Sequence, residues 1–191
     1  MKPIRQMTQA ELAAFVQSHL RKNRIQVVLS GGATVVIYSH GKYVSNDLDL
    51  VDLYSIKRNI IRDSMENIEF LEEGRHFRHR DSKFLIEFPP GPLTVGLEPV
   101  KEIDEIKYST GILRIISPTD CVKDRLAAYY HWGDNQCLAQ AVMVAHSHDI
   151  KIEEIQRWSV AEGKLAEFEK IMDKLKNKED TKRRHSTPAR K

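Results

Sequence analysis

The chain has 191 residues, 41% of them hydrophobic and 30% charged, with a formal charge of +3. That is the balance of an ordinary soluble globular protein, long enough for one substantial unit, and the total charge by itself points to no polyanion partner. Cys121 and Cys137 are too few for a disulfide framework and lack metal-finger spacing, so each is expected as a small packed apolar group in a helix. The N-terminus "MKPIRQMTQAELAAF" has no signal-peptide core, and no stretch approaches the ~18 uncharged apolar residues of a membrane span. A cytoplasmic location without a membrane partner is the expectation.

Along the chain, Thr8 and Glu11 form a T-x-x-E capping box, and Leu12, Phe15, Val16 and Leu20 follow at helical spacing, which predicts a helix over 9–22. "IQVVLS" (25–30) reads as a buried strand ended by Gly31-Gly32, and "ATVVIYS" restarts with helix-compatible spacing. "HGKYVSN" is loop-like and "DLDLVDL" is a strand. Ile56, Ile60, Ile61 and Met65 mark a helix over about 55–66. Ile68 to Phe70 reads as a strand, "RHFRHR" as a polar turn or edge, and "KFLIEF" (83–88) as a strand stopped by Pro89 and Pro90, which cannot donate to a ladder. "GILRIIS" (111–117) is a further strand.

After it the pattern changes. Ser117-Pro118-Thr119-Asp120 is a helix-start signature, and helices are expected over 118–132, 136–146, 152–161 and 163–177. The fold class expected is α+β: a small mixed sheet flanked by helices over 1–116, an all-helical part over 117–178 packed on it, and a basic, disordered tail over 179–191.

The chemistry concentrates in "LSGGATVVIYSHGKYVSNDLDLV", residues 29–51. Side chains alternate along a strand, so Asp47 and Asp49 project from one side while Leu48 and Leu50 pack. On a solvent-facing edge Asp47 and Asp49 would simply be hydrated; in an apolar setting two carboxylates this close repel unless a cation lies between them, and oxygen-only ligands on a strand suit Mg²⁺ together with substrate phosphates. Ser30-Gly31-Gly32 ends a strand and opens a helix, where free amides make an anion site and glycine permits close approach. A phosphate cradle beside two metal-binding acids implies nucleotide chemistry. Glu87 lies in the apolar run "KFLIEF"; if that strand neighbours 47–51, it completes a three-carboxylate cluster able to hold two ions, whereas on an edge strand it would simply face water.

The glycine pair, the gap over 33–46 and the acid–apolar–acid triplet resemble the signature of the DNA polymerase beta-like nucleotidyltransferase superfamily. "SNDLDL" looks especially like the minimal bacterial nucleotidyltransferases of the abortive-infection toxin type. Two features depart from the pattern: the third acid is commonly aspartate rather than glutamate, and the gap is somewhat long.

The resemblance implies that Asp47, Asp49 and Glu87 are both metal ligands and catalytic groups, with Mg²⁺ or Mn²⁺ as cofactor. Ser30, Gly31 and Gly32 would hold the triphosphate of an NTP such as ATP. Basic groups should flank the phosphates, and Lys83 and Lys123 are the candidates, with Arg125 close by. The acceptor implied is RNA or protein, for a toxin with an antitoxin as its partner; a small-molecule acceptor, or a non-catalytic binding module of the same fold, are the alternatives. Asp134 reads as a capping residue and the His76/His79 and His146/His148 pairs as unsuited to zinc. Trp132 and Trp158 read as packing groups, with base stacking the alternative for either.

Overall fold

A computed structural model describes residues 2–176. The basic segment 179–191 lies outside the described residues. Thr8 caps the first helix, α1 (Gln9–Lys22): its hydroxyl accepts the Glu11 N–H at 3.3 Å while the Glu11 carboxylate accepts the Thr8 N–H at 2.8 Å. Both ends of the box are satisfied, and Leu12, Val16 and Leu20 are buried below it.

The chain then runs β1 (Val27–Ser30), α2 (Gly32–Tyr38), β2 (Asp47–Asp52), α3 (Arg58–Glu66), β3 (Leu71–Glu73), β4 (His76–Arg78) and β5 (Leu85–Glu87). A small hairpin follows, β6 (Thr94–Val95) and β7 (Glu98–Pro99), and then β8 (Ile103–Tyr108) and β9 (Gly111–Ile116). Four helices complete the described chain: α4 (Pro118–Trp132), α5 (Asn135–Ser147), α6 (Ile152–Ala161) and α7 (Leu165–Lys176). The fold is a mixed α+β one, a seven-stranded sheet of order β3-β4-β5-β2-β1-β9-β8 with a helical C-terminal part. The β2–β5 and β1–β9 pairs are parallel and the others antiparallel.

The β1–β9 pairing is short, centred on Leu29 opposite Ile115, and a side chain extends it. Gln17 of α1 donates to the Arg114 carbonyl at 3.0 Å and accepts the Arg114 N–H at 2.7 Å. Backbone groups at this point would otherwise lack partners.

Several expectations shift. Residues 68–70 are not a strand: Phe70 is buried, and the strand begins at Leu71. "RHFRHR" contributes β4, because Gly74-Arg75 forms a two-residue turn, with Gly74 at φ 63° and Glu73 paired to His76. The α3 helix starts later than expected. The Asp52 carboxylate accepts the N–H groups of Tyr54 and Ile56 and holds that segment as a turn. The β6–β7 hairpin and β8 were not foreseen; β8 is a half-exposed edge strand whose "IDEIKY" pattern gives no clean alternation.

Helix α4 is capped as its sequence indicates, the Ser117 hydroxyl accepting the Asp120 N–H at 3.1 Å. Asp134 caps α5, accepting the N–H groups of Gln136 and Cys137. Trp158 is fully buried in the core; its indole N–H donates to the Val95 carbonyl at 3.2 Å and its ring stacks on Tyr130. Trp132 instead is 79% exposed at the end of α4, so it does not pack as expected. No described helix is long and apolar enough to cross a membrane.

Candidate active site

Strand β2 lies between β1 and β5, in the middle of the sheet. Its alternation decides which side chains meet the core: Leu48 and Leu50 are fully buried, while Asp47 and Asp49 stand on the half-buried opposite face. Register carries this split across three more strands. Leu48 pairs with Ile86 and Ile86 with Phe77, giving a buried apolar row. One residue further on, Ser30 pairs with Asp49, Asp49 with Glu87, and Glu87 with His76. Four polar side chains from four strands therefore form one row on one face. Glu87 is on an interior strand, beside Asp49, not on an edge.

Gly31 explains how the chain passes so close to this row. Its φ of 68° and ψ of −155° fall in a region used essentially by glycine alone, and a Cβ at this position would overlap the Asp49 carboxylate. Gly31 caps α2 and, as glycine, supplies no side-chain hydrogen bond to that helix. Gly32 is also confined: an added Cβ would lie 3.1 Å from the Ser45 hydroxyl. Gln9 of α1 donates to the Ser45 and Asp47 carbonyls, fixing the backbone that enters β2.

The electrostatics are unbalanced. Burial, then the charges of Glu87 and Asp47, push the Asp49 carboxyl up to about 6 from an ordinary 3.8, against the opposing pull of Arg125. Neither Asp47 nor Asp49 has an ion-pair partner among the described residues. Glu87 faces Arg75 at 3.5 Å and His76 at 3.4 Å. Among the described residues no three His, Cys, Asp or Glu side chains converge on one point as placed. The donors nevertheless suit a hard divalent cation: two uncompensated carboxylates on adjacent same-face positions, one of them held in a disfavoured charge state that a cation would relieve.

Of the basic candidates, Lys83 is exposed in the bend before β5, its ammonium 5.1 Å from the Phe84 ring centre. Lys123 is not among the residues lining the cavity beside the row. Its ammonium is buried, 2.7 Å from Glu154 and 3.3 Å from Asp120, so its charge is spent tying α4 to α6 inside a separate cavity of about 280 Å³. Arg125, two residues on, is the cation whose field reaches Asp49. It is ion-paired with Asp124, with Nε 3.0 Å from that carboxylate, and lies 3.4 Å from the Gln140 side-chain oxygen. Asp124 itself lines a cavity of about 200 Å³ next to the row, floored by Val51 and Ile116 and bounded by Pro89, Pro90 and Pro92.

Sequence reasoning did not place His76, Arg75 or Asp124 at this site. The signal for His76 was its alternation with Phe77, readable only once β4 is known to be a strand. His79, three residues on, is buried, and its ring accepts the Asp81 N–H, so the two histidines do not share a site.

No protein-family model matches the chain, and no curated protein matches it. Among solved structures, it is similar to the solution structure of the antibiotic-resistance factor ANT(2'')-Ia at 13% sequence identity, covering 90% of this chain and 94% of that one with a TM-score of 0.47. A likeness of that degree leaves the functional reading to the site itself.

Proposed function

We infer that the chain transfers a nucleoside monophosphate from a nucleoside triphosphate to an acceptor hydroxyl, with Mg²⁺ or Mn²⁺ as cofactor. The observation that carries this reading is the Asp49 carboxylate, seated against Gly31, flanked by Asp47 and Glu87, and left without a cationic partner. A divalent ion, when bound, would neutralise phosphate charge and orient the transferring phosphorus.

Asp47 and Asp49 would hold that ion. Ser30 and the backbone of Gly31 and Gly32 would receive the triphosphate, with the close approach that only glycine allows. Arg125, the cation whose charge acts on Asp49, would add positive charge for the triphosphate, its guanidinium held by Asp124 and Gln140 before substrate arrives. Glu87 would take the acceptor proton as the acceptor oxygen bonds to the α-phosphorus and pyrophosphate leaves. Arg75, 74% exposed, holds Glu87 only through a surface contact of the weak kind, so the carboxylate is readily freed.

The nucleotide is ATP or another triphosphate, and the acceptor RNA or protein, with the toxin role and its antitoxin as the biological setting. The cavity bounded by the proline loop favours a second reading, the same transfer to a small hydroxylated molecule. Binding is tested by thermal shift with a triphosphate and Mg²⁺. Stabilisation that needs both, and that is lost in Asp47→Ala and Asp49→Ala, supports the site. No response to either component points instead to a non-catalytic module.

A further inference from the structure

A second cavity, of about 340 Å³, lies between the C-terminal half of α1 and the starts of β1 and β9. It is distinct from the acid row: Val27, where β1 enters it, is at the opposite end of that strand from Ser30. Its lining has a one-sided chemistry. Arg21, Lys22 and Arg114 contribute three cations, and among the described residues no carboxylate lines it.

The polar neutral groups point the same way. Ser18 uses its oxygen to accept the Ile112 N–H at 3.0 Å, which leaves its proton to donate. Gln26 uses its side-chain oxygen to accept from Arg114 at 3.2 Å, which leaves its amide hydrogens. Among the described residues the one carboxylate paired with Arg114 is Glu105, half-exposed on β8 and 3.7 Å away, beyond hydrogen-bond reach. Arg21 and Lys22 have no acidic partner among the described residues. Compensation of the α1 dipole accounts for cations in that helix's last turn, but not for Arg114, which comes from β9 and is four-fifths buried.

The framework is rigid rather than incidental. Gln17 is 4% exposed and bonded to both backbone groups of Arg114, which fixes where that side chain leaves the strand. Below the donors, Ile25, Val27 and Ile112 provide an apolar floor.

We propose that this cavity is a binding site for a phosphate group carried on a ring-bearing compound, its oxygens taken by Arg114, Arg21, Lys22, Ser18 and Gln26 and its ring laid on the apolar floor. Guanidinium groups and convergent neutral donors match phosphate oxygens, and Gln26, the neutral acceptor on Arg114, engages only one of its N–H groups. The proposal does not depend on the activity assigned to the acid row.

The test is a nuclear magnetic resonance titration of the full chain at constant ionic strength, following the backbone amides of Ser18, Gln26 and Ile112. The probes are inorganic phosphate, a nucleoside monophosphate and a short single-stranded oligonucleotide. All three should shift these amides, in the parent and equally in Asp49→Asn, which separates this cavity from the acid row. A monophosphate that outcompetes the oligonucleotide identifies a free compound as the ligand; the reverse order identifies a nucleotide chain. Arg114→Gln should weaken binding by about tenfold or more, the loss of one charge-assisted contact. Arg21→Gln with Lys22→Gln, at exposed positions, should weaken it similarly without touching β9. Shifts unchanged in both variants, shifts reproduced by sodium chloride, or no response to any probe would overturn the proposal.

Discussion

The Asp49 carboxylate occupies the space that a side chain on residue 31 would need. The two residues are therefore one structural decision: glycine at the turn allows the acid to stand against the backbone, and the acid forbids anything larger. Gly31→Ala meets two obstacles, a backbone conformation that alanine disfavours by about 1–3 kcal/mol and a collision with Asp49. It should lower thermal stability and abolish triphosphate binding together, measured by melting curves with and without Mg²⁺ and nucleotide. A variant that binds nucleotide normally would separate the turn from the site.

Asp49 also carries a pH signature. Its folded carboxyl titrates near 6 against an ordinary 3.8, so folding takes up a proton between those values. The native state binds more protons than the unfolded chain in that window, and stability falls as pH rises through it. Asp49→Asn removes this burden. Without divalent ions, it should melt higher than the parent at pH 8, and the gap should close towards pH 4. In the parent, Mg²⁺ should raise the melting temperature more at pH 8 than at pH 5, because proton and cation compete for one carboxylate.

The two basic residues of α4 should fail in different ways. Lys123→Met removes a buried ammonium, leaving Asp120 with the Ser117 hydroxyl and Glu154 with Arg157, and should cost about 1–3 kcal/mol of stability in urea unfolding. Arg125→Gln leaves Asp124 without its partner and should lower stability as well, but it should also weaken triphosphate affinity in calorimetric titration, which Lys123→Met should not. If Lys123→Met retained full stability while losing nucleotide, the assignment of these two residues would be reversed.

The tryptophans offer a contrast that needs no substrate. Trp158→Ala removes a fully buried ring and should cost about 3–5 kcal/mol. Trp132→Ala removes a side chain that is 79% exposed and should change stability by about 0.5 kcal/mol or less. Unfolding curves of the two variants decide this directly.

What the sequence makes legible here is short-range. The Thr8–Glu11 box, the Ser117 cap and the Asp47–Leu48–Asp49 alternation each act within a turn or two of chain, so the residues state the outcome by themselves. The site's remaining members depend on register between distant strands. His76 reaches Glu87 only because β4 pairs antiparallel to β5, and nothing local in "RHFRHR" announces that partner. The different settings of Lys123 and Arg125 have a related cause: Asp120, Lys123, Asp124 and Arg125 crowd one helix, and only its packing decides that Lys123 turns to Glu154 of α6 while Arg125, paired with Asp124, is the cation whose charge acts on Asp49. In β8, the charged residues of "IDEIKY" obscure a strand that the edge of the sheet readily accepts.

The central claim is transfer of a nucleoside monophosphate, and the most direct measurement supplies triphosphates labelled at the α-phosphate, Mg²⁺ or Mn²⁺, and total RNA or cell lysate to the full chain. Label should move to an acceptor only when the divalent ion is present, and should not move with Asp47→Ala, Asp49→Ala or Glu87→Gln. Transfer that persists in Asp49→Ala, or no transfer from any triphosphate by a parent protein that binds it, would contradict the account.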